Sequence, residues 1–567
     1  MAQIIINGEL ITCRDDIPNV LQAALEAGLD IPHYCYHPSL SIVASCRLCL
    51  MEQKMPHPQT RQLGWAPRLI PSCQTPVRNN PDGSPMEVRF DSESVKSNQR
   101  HVMEYLLINH PLDCPVCDQA GECYLQDYSL KFGNASSRMV DQKHKNPKKD
   151  IGPQTLLYAD RCVMCSRCVR FTREVTGTAE LAVINRGHRA EIDVFPGQPL
   201  DNPLQGNVVD ICPVGCLLDK DFLFKQRVWL LSSTPGITIA DASGANIRID
   251  HNDGTVHRIK PRYNPAINGF WISDEQRYSY KHIHAPTRLA LYSARTPNAP
   301  AQTQRTPCGV DQLVDLLRKT LTDTVQLHGT GSCYLQLSPF MTNEEAFLLA
   351  GTVRAIDPKA VLGLGFVPVE GHDQLFPVGT TDPAKAKFTI YAEKCPNRRG
   401  IEAILNHFGG TRIDHGPQPA PAEALTQAIA NETLRLLWIV GGHPHPLAPW
   451  RSETAALLSG QTSAPLPEHT LIVQDLFASP LADLADILIA SGSFAEREGS
   501  FTNIHGQTQH FERAIPPVAD FVQDGEWISQ LAGRFSLYDP TSIREEVINA
   551  GINLHIIEAP AEVEHQH

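Results

Sequence analysis

Twelve residues in three tight groups constrain this chain more than anything else in it. Eleven of its sixteen cysteines lie between Cys13 and Cys168, and most of them stand two to ten residues from another. Nothing at the start, MAQIIINGELIT, resembles a basic segment followed by an apolar run, so a reducing compartment is expected and disulfides are not. Clustered cysteines in that setting are metal ligands more often than bridges. At 567 residues the chain exceeds one hydrophobic core and suggests about three to five domains. A net charge of −13 argues against nucleic acid as a partner. No apolar stretch approaches the length of a spanning helix, so contact with a membrane is expected only through other subunits.

The first group is Cys35, Cys46, Cys49 and Cys73, in CYHPSLSIVASCRLC followed by PSC. Plant-type ferredoxins have a shorter first gap but the same CxxC core and a distant fourth thiolate. Upstream, QIIIN and ELIT flank Asn7-Gly8, a hairpin signal. Pro18 is then expected to open a helix with Leu21, Ala24, Leu25 and Leu29 toward one face. Two strands, a helix and a cysteine loop predict a β-grasp module with one [2Fe-2S] cluster. Four thiolates also suit zinc, which is the alternative.

The second group is NHPLDCPVCDQAGEC, with Cys114, Cys117 and Cys123. The preceding VKSNQRHVMEYLLI predicts a helix with Val102, Met103, Leu106 and Leu107 buried. Pro111 discourages its continuation. His110 thus stands where a helix ends and a cysteine loop begins. Neutral imidazole binds metals, and His110 would complete H-x3-C-x2-C-x5-C. On spacing alone it is either the fourth ligand or a helix-end bystander.

In the third group, RCVMCSRCVRF, Cys162, Cys165 and Cys168 repeat every third residue. A bacterial ferredoxin run would continue to Cys-Pro, but Thr172 stands there. Cys212, preceding Pro213, closes the simplest set, a two-cluster pattern reduced to one [4Fe-4S] site. Zinc is again the alternative. Cys13, Cys216, Cys308, Cys333 and Cys395 are left over and read as packed thiols. Arg47, Arg161, Arg167 and Arg170 flank the motifs and would either favour reduced clusters or simply face water. No GxGxxG stands at a strand–helix junction, and Gly329 and Gly331 are too weak a match for a nucleotide site. The chain reads as a conductor of single electrons, with no catalytic residue of its own.

The order of motifs, with DRCVMCSRCVRF and DICPVGCL, resembles the G-subunit family of NADH-quinone oxidoreductase, respiratory complex I, most specifically from Met1 to about Phe224. The resemblance implies His110 as ligand beside Cys114, Cys117 and Cys123 of a [4Fe-4S] cluster, and a small residue where Cys216 stands. It implies a multidomain α+β and α/β architecture. The expected divisions are a [2Fe-2S] ferredoxin-type domain at 1–80, the histidine-plus-three-cysteine [4Fe-4S] module at 81–124 and a ferredoxin-like [4Fe-4S] module at 125–224. Residues 225–285 resemble the small iron–sulfur lobe of molybdopterin oxidoreductases, but Thr238, Asp241, Ala245 and Ser273 stand where its cysteines would be, so no cluster is expected there. Residues 286–567 resemble the molybdopterin-oxidoreductase domain, through Gly499, Phe501, Asn503 and Gly506, with no molybdenum expected. Buried strands are expected in LRLLWIVGG, TLIVQDLF and ADILIASGSF, and a turn followed by an amphipathic helix in SPFMTNEEAFLLAGTVRAI. Proline-rich HAPTRLALYSARTPNAPAQTQRTP and GPQPAPAEA read as linkers, and APAEVEHQH as a loose tail.

The implied cofactors are one [2Fe-2S] and two [4Fe-4S] clusters. The implied partners are the other peripheral-arm subunits, including the NADH/FMN flavoprotein, with NADH and quinone sites on those subunits. The implied place is peripheral, on the cytoplasmic side of a bacterial inner membrane. The rival reading is the iron–sulfur subunit of an NAD-linked hydrogenase or formate dehydrogenase. The missing small-lobe thiolates count against the dehydrogenase. The isolated Cys308, Cys333 and Cys395 count against an iron hydrogenase.

Overall fold

The computed structural model describes residues 2–57, 59–60, 62–295, 304–410, 434–459, 469–534 and 537–558. The stretch GPQPAPAEA, part of the first proline-rich stretch and the tail APAEVEHQH lie outside the described residues. The chain divides into two compact units. Among the described residues, one comprises those within 2–231 with 375–388, and the other those within 232–374 with 389–558.

The first unit opens with β1 (Ala2–Ile6) and β2 (Glu9–Cys13), antiparallel. Between them Asn7 and Gly8 both take positive φ, +51° and +90°, as a tight hairpin turn requires. α1 (Val20–Glu26) starts two residues after Pro18, because Asn19 caps it: its Oδ1 accepts from Gln22 N at 2.8 Å. Its apolar face, Val20, Leu21, Ala24 and Leu25, packs with Ile4 and Ile6 in one core. β3 (Leu50–Pro56), β4 (Leu63–Trp65) and β5 (Met86–Arg89) complete a mixed sheet in the order β2-β1-β5-β3-β4, with the short strand Ile70–Pro71 beside β3. β5 runs parallel to β1, so this sheet extends past residue 80 to Arg89.

α2 (Glu93–Leu107) follows, capped by Ser92. It buries Val95, Gln99 and Met103, whereas Val102, Leu106 and Leu107 are only half-buried. Of the expected face only Met103 is buried, and the buried stripe runs back from it through Gln99 and Val95 at four-residue steps. α3 (Tyr124–Phe132) comes next. β6 (Lys148–Asp150), β7 (Thr155–Tyr158) and β10 (Leu217–Asp219) form an antiparallel sheet that brackets the third cysteine motif. α4 (Arg167–Phe171), the hairpin of β8 (Leu181–Ile184) and β9 (Glu191–Val194), and α5 (Asn207–Asp210) lie between β7 and β10.

The second unit starts with three antiparallel strands, β11 (Ser232–Ile237), β12 (Asn246–Asn252) and β13 (Thr255–Pro261). Its centre is a seven-stranded sheet of β14 (Tyr292–Ala294), β15 (Thr306–Cys308), β16 (Cys333–Leu337), β17 (Val361–Leu364), β18 (Leu436–Val440), β19 (Thr470–Asp475) and β20 (Ile487–Ala490). The order is β15-β14-β20-β19-β18-β16-β17, with the last five strands mutually parallel. β16 and β18 are buried along their whole length, as a parallel sheet covered on both faces demands. Among the helices that follow in sequence are α6 (Asp274–Tyr278), α7 (Val310–His328), α8 (Asn343–Ile356) and α9 (Arg398–His407). Among the described residues no helix is long and apolar enough to cross a membrane.

Candidate cluster-binding centre

All twelve residues expected as ligands fall in the first unit. In the first loop Cys35 Sγ lies 3.5 Å from Cys46 Sγ. Cys49 and Cys73 also act on one another's thiols. In each pair one thiol holds the other's acidity up: Cys46 lowers Cys35 to about 5, and Cys73 lowers Cys49. Metal–sulfur bonds of about 2.3 Å at a tetrahedral centre put two thiolates about 3.8 Å apart. The Cys35–Cys46 separation is therefore close to that of two thiolates on one metal. The loop reaches this shape through left-handed backbone at Ala44 and Arg47, φ +49° and +59°. Such strain in non-glycine residues collects at functional loops. Tyr34 N points at Cys46 Sγ at 3.5 Å.

In the second group, α2 ends just before the loop, and Lys143 Nζ caps it by donating to the carbonyls of Leu107 (2.7 Å) and Ile108 (3.0 Å). His110 follows, half-buried. Burial, then the positive charges of Arg161 and Lys143, hold its pKa down to about 4, so its ring is neutral at pH 7 and has a lone pair to give. Cys123 has Cys117 and Cys114 as electrostatic neighbours, and burial pushes its thiol up to about 12. Arg161 acts on both His110 and Cys117, placing the two around one guanidinium.

The third loop uses left-handed Met164 and Ser166, φ +50° and +57°, to turn between its cysteines. Met164 N donates to Cys162 Sγ at 3.3 Å. Cys165 and Cys168 are buried, and each lies close enough to Cys162 and Cys212 for their charge to act on it. Among the described residues no three His, Cys, Asp or Glu side chains are gathered for a single metal ion.

The three loops are fastened together by residues that motif spacing does not pick out. Arg167 Nη2 donates to Tyr36 O at 2.5 Å and its Nη1 to Ile211 O at 3.3 Å. Arg170 donates to the carbonyls of Cys35 and Ser41, and to Cys165 O at 3.3 Å. Arg161 pairs with Asp113 at 2.8 Å, reaches Gly215 O at 3.4 Å and lies 4.2 Å above the Tyr158 ring. These three arginines are 1%, 6% and 1% exposed for Arg167, Arg170 and Arg161, so they do not simply face water. Arg47, by contrast, is exposed. Gly215 is held against the second group: a Cβ there would overlap Cys117 Sγ and meet Gln119 Cβ at 3.1 Å.

Cys13, Cys333 and Cys395 are buried and Cys308 is half-buried. Cys216 is also buried, 2% exposed. Its thiol is pushed up by the neighbouring thiols of Cys162 and Cys212 and by burial.

Thr238, Asp241, Ala245 and Ser273 are all buried. Asp241 Oδ1 accepts from Ser243 N (3.1 Å), Ser243 Oγ (2.6 Å) and Gln276 Nε2 (2.9 Å). Ser273 caps α6 by accepting from Gln276 N at 3.2 Å. Side-chain hydrogen bonds thus link these positions to one another.

Four family descriptions match this chain. They are a 2Fe-2S iron-sulfur cluster binding domain at residues 1–89 and the NADH-ubiquinone oxidoreductase-G iron-sulfur binding region at 99–138. The ferredoxin-like domain of NADH-quinone oxidoreductase subunit 3 matches at 152–218, and the NDSU1/NuoG-like 4Fe-4S domain of NADH-ubiquinone oxidoreductase at 231–281. The G subunit of NADH-quinone oxidoreductase from Rickettsia felis is 41% identical across 91% of this chain and 85% of its own length. The mitochondrial NADH dehydrogenase [ubiquinone] iron-sulfur protein 1 of Solanum tuberosum is 44% identical over 46% of this chain and 33% of its own. A crystal structure of an NAD+-reducing [NiFe]-hydrogenase in the H2-reduced state is 25% identical over 40% of this chain and 91% of that one, with a TM-score of 0.33, too low to carry an argument.

Proposed function

The chain belongs to the G-subunit family of NADH-quinone oxidoreductase, and from that premise we propose how its own residues serve electron transfer from the NADH-oxidising flavoprotein toward quinone. Cys35, Cys46, Cys49 and Cys73 would hold a [2Fe-2S] cluster, a reading that the match of residues 1–89 to a 2Fe-2S iron-sulfur cluster binding domain supports over zinc. His110, Cys114, Cys117 and Cys123 would hold one [4Fe-4S] cluster, and Cys162, Cys165, Cys168 and Cys212 a second. Bound there, such clusters supply one-electron transfer without bond chemistry on a substrate.

One observation carries the reading: Arg167 and Arg170 fasten the first loop to the third, while Arg161 and Gly215 fasten the second to the third. Separate sites become neighbours, as stepwise transfer needs. The same buried guanidiniums place positive charge where added electrons would sit, which favours the reduced forms.

The modules expected at 1–80, 81–124 and 125–224 follow the three ligand sets, with the first sheet continuing to Arg89. The 225–285 lobe would carry no fourth cluster, since hydrogen-bonded Asp241, Ser243 and Gln276 fill its centre. The parallel sheet of 286–567 supports a molybdopterin-oxidoreductase-like α/β domain without molybdenum. Other peripheral-arm subunits would surround the chain on the cytoplasmic side of a bacterial inner membrane.

Iron analysis with low-temperature EPR, wild type beside His110→Ala, tests this. About ten irons per chain are expected, with one [4Fe-4S] signal altered in the variant. About fourteen irons would restore a fourth cluster. An unchanged variant spectrum would return His110 to being a bystander.

A further inference from the structure

The turn after α1, the end of β5, the first turns of α2 and the end of α3 enclose a cavity of about 390 Å³ in the first unit. None of the twelve expected cluster ligands lines it. Leu29, Phe90 and Phe132 give it apolar walls. Phe90 is fixed there, since its N–H donates to Asn7 Oδ1 at 2.8 Å. At another wall Lys131 pairs with Asp30 at 2.6 Å, which ties α3 to the turn after α1.

Three other lining side chains have no partner among the described residues. Gln99 is 4% exposed, yet its amide makes no hydrogen bond there. Asp91 and Lys96, both exposed, belong to no ion pair there. Arg100, also lining the cavity, gives only Nη2 to Glu93. A buried amide without a partner is costly, and such a group calls for a reason. Lys96 and Arg100 stand one helical turn apart, where like charges repel unless an anion lies beside them. The volume falls within the range of small-molecule sites, about 300–1,000 Å³.

We propose that this cavity binds a nucleoside monophosphate, with its base against Leu29, Phe90 and Phe132 and its base edge on the Gln99 amide, its ribose hydroxyls on Asp91 and its phosphate on Lys96 and Arg100. Each unpartnered group then gains the partner its chemistry asks for. A base offers an apolar face to aromatic walls and a hydrogen-bonding edge to an amide. A carboxylate accepts from ribose hydroxyls, and Lys and Arg take phosphate. An inorganic anion alone would leave Gln99 and the apolar walls unused. A purely apolar ligand would leave Gln99, Asp91 and Lys96 as they are. The inference is independent of the cluster reading, because no expected ligand takes part.

The test is equilibrium dialysis of the full-length chain against AMP, GMP, CMP and UMP, with adenosine and inorganic phosphate as controls. Wild type is compared with Gln99→Leu and Lys96→Ala, and a thermal midpoint is recorded for each. Lys96 is exposed, so its variant keeps the test open if Gln99→Leu fails to fold. The expected result is saturable binding of at least one of the four nucleotides, one per chain, weakened about tenfold in each folded variant. Adenosine and phosphate should each bind more weakly than the nucleotide. Absence of binding by all four nucleotides would overturn the inference. Equal affinity in wild type and variants would also overturn it, placing the nucleotide elsewhere on the chain. Phosphate binding as tightly as the nucleotide would reduce the cavity to a simple anion site and overturn it too.

Discussion

Gly215 shows how much one hydrogen atom in place of a methyl decides here. It takes no left-handed backbone, so its requirement is space: Cys117 Sγ occupies the room a Cβ would need. Gly215→Ala is expected to push Cys117 away and to cost about 1–3 kcal/mol in overpacking. The spectroscopic consequence should be selective. The EPR signal of the histidine-plus-three-cysteine cluster should weaken, while that of the Cys162 group, on the far side of the turn, persists. Equal loss of both signals would mean the glycine serves the turn and not the approach. Most of the expected ligands stand out in sequence because they repeat at short spacing. Gly215 was not, since its partner is about a hundred residues away and a glycine after Cys-Pro-Val looks like any turn.

At the scale of elements, the arginines of α4 act as a strap. Arg167 satisfies Tyr36 O, 131 residues upstream, and Ile211 O, 44 downstream. Arg167→Met keeps the bulk but leaves two buried carbonyls without donors, at about 1–3 kcal/mol each. A drop in the denaturation midpoint is expected, and Arg167→Lys should not restore it, since one ammonium cannot replace a planar fork reaching in two directions. Sequence alone left these arginines open between tuning a cluster and facing water, because their carbonyl partners carry no sequence signature. The strands of the central sheet were legible for the opposite reason: a run such as LLWIV is apolar on both faces, and that pattern survives without knowing the neighbours.

The start of α8 carries a second element-scale expectation. Glu344 is fully buried, where its carboxylate accepts from Ser500 N and Ser500 Oγ, both at 2.8 Å, with Arg544 at 3.9 Å. Burial wins over these partners and pushes its pKa up to about 7 from 4.5. The folded chain thus holds this proton more tightly than the unfolded chain does. Stability from this group should fall as pH rises from about 4.5 to about 7 and then level off, by roughly 3 kcal/mol in all. Glu344→Gln, which cannot ionise, should flatten that part of the profile and leave the variant relatively more stable at pH 8 than at pH 4. Thermal denaturation across that range measures it, and parallel profiles for the two proteins would contradict the assignment.

For the whole molecule, the decisive feature is that the unit holding every expected ligand is not continuous in sequence. Residues 1–231 supply all twelve, but residues 375–388 belong to the same unit. Val378 N donates to Thr176 O at 2.8 Å. Gly177, at φ +76°, lets Pro377 and Val378 come close: a Cβ there would stand 2.8 Å from Val378 N and 2.9 Å from Pro377 Cβ. No sequence pattern announced this, because a returning segment of fourteen residues has neither periodicity nor motif. It gives a sharp expectation for a chain ending at residue 231. Every ligand remains, so iron per chain should stay at about ten. The bond to Thr176 is lost, about 1 kcal/mol by itself, and the unfolding midpoint should fall by at least roughly 2–4 °C. Gly177→Ala in the full chain should lower the midpoint in the same direction, since it prises the same contact apart, whereas in the truncated chain its cost should shrink to that of the left-handed backbone alone. If the truncated chain instead loses iron, the returning segment holds the cysteine loops in place, and the ligand-bearing part depends on the second half of the chain for its chemistry as well as its stability.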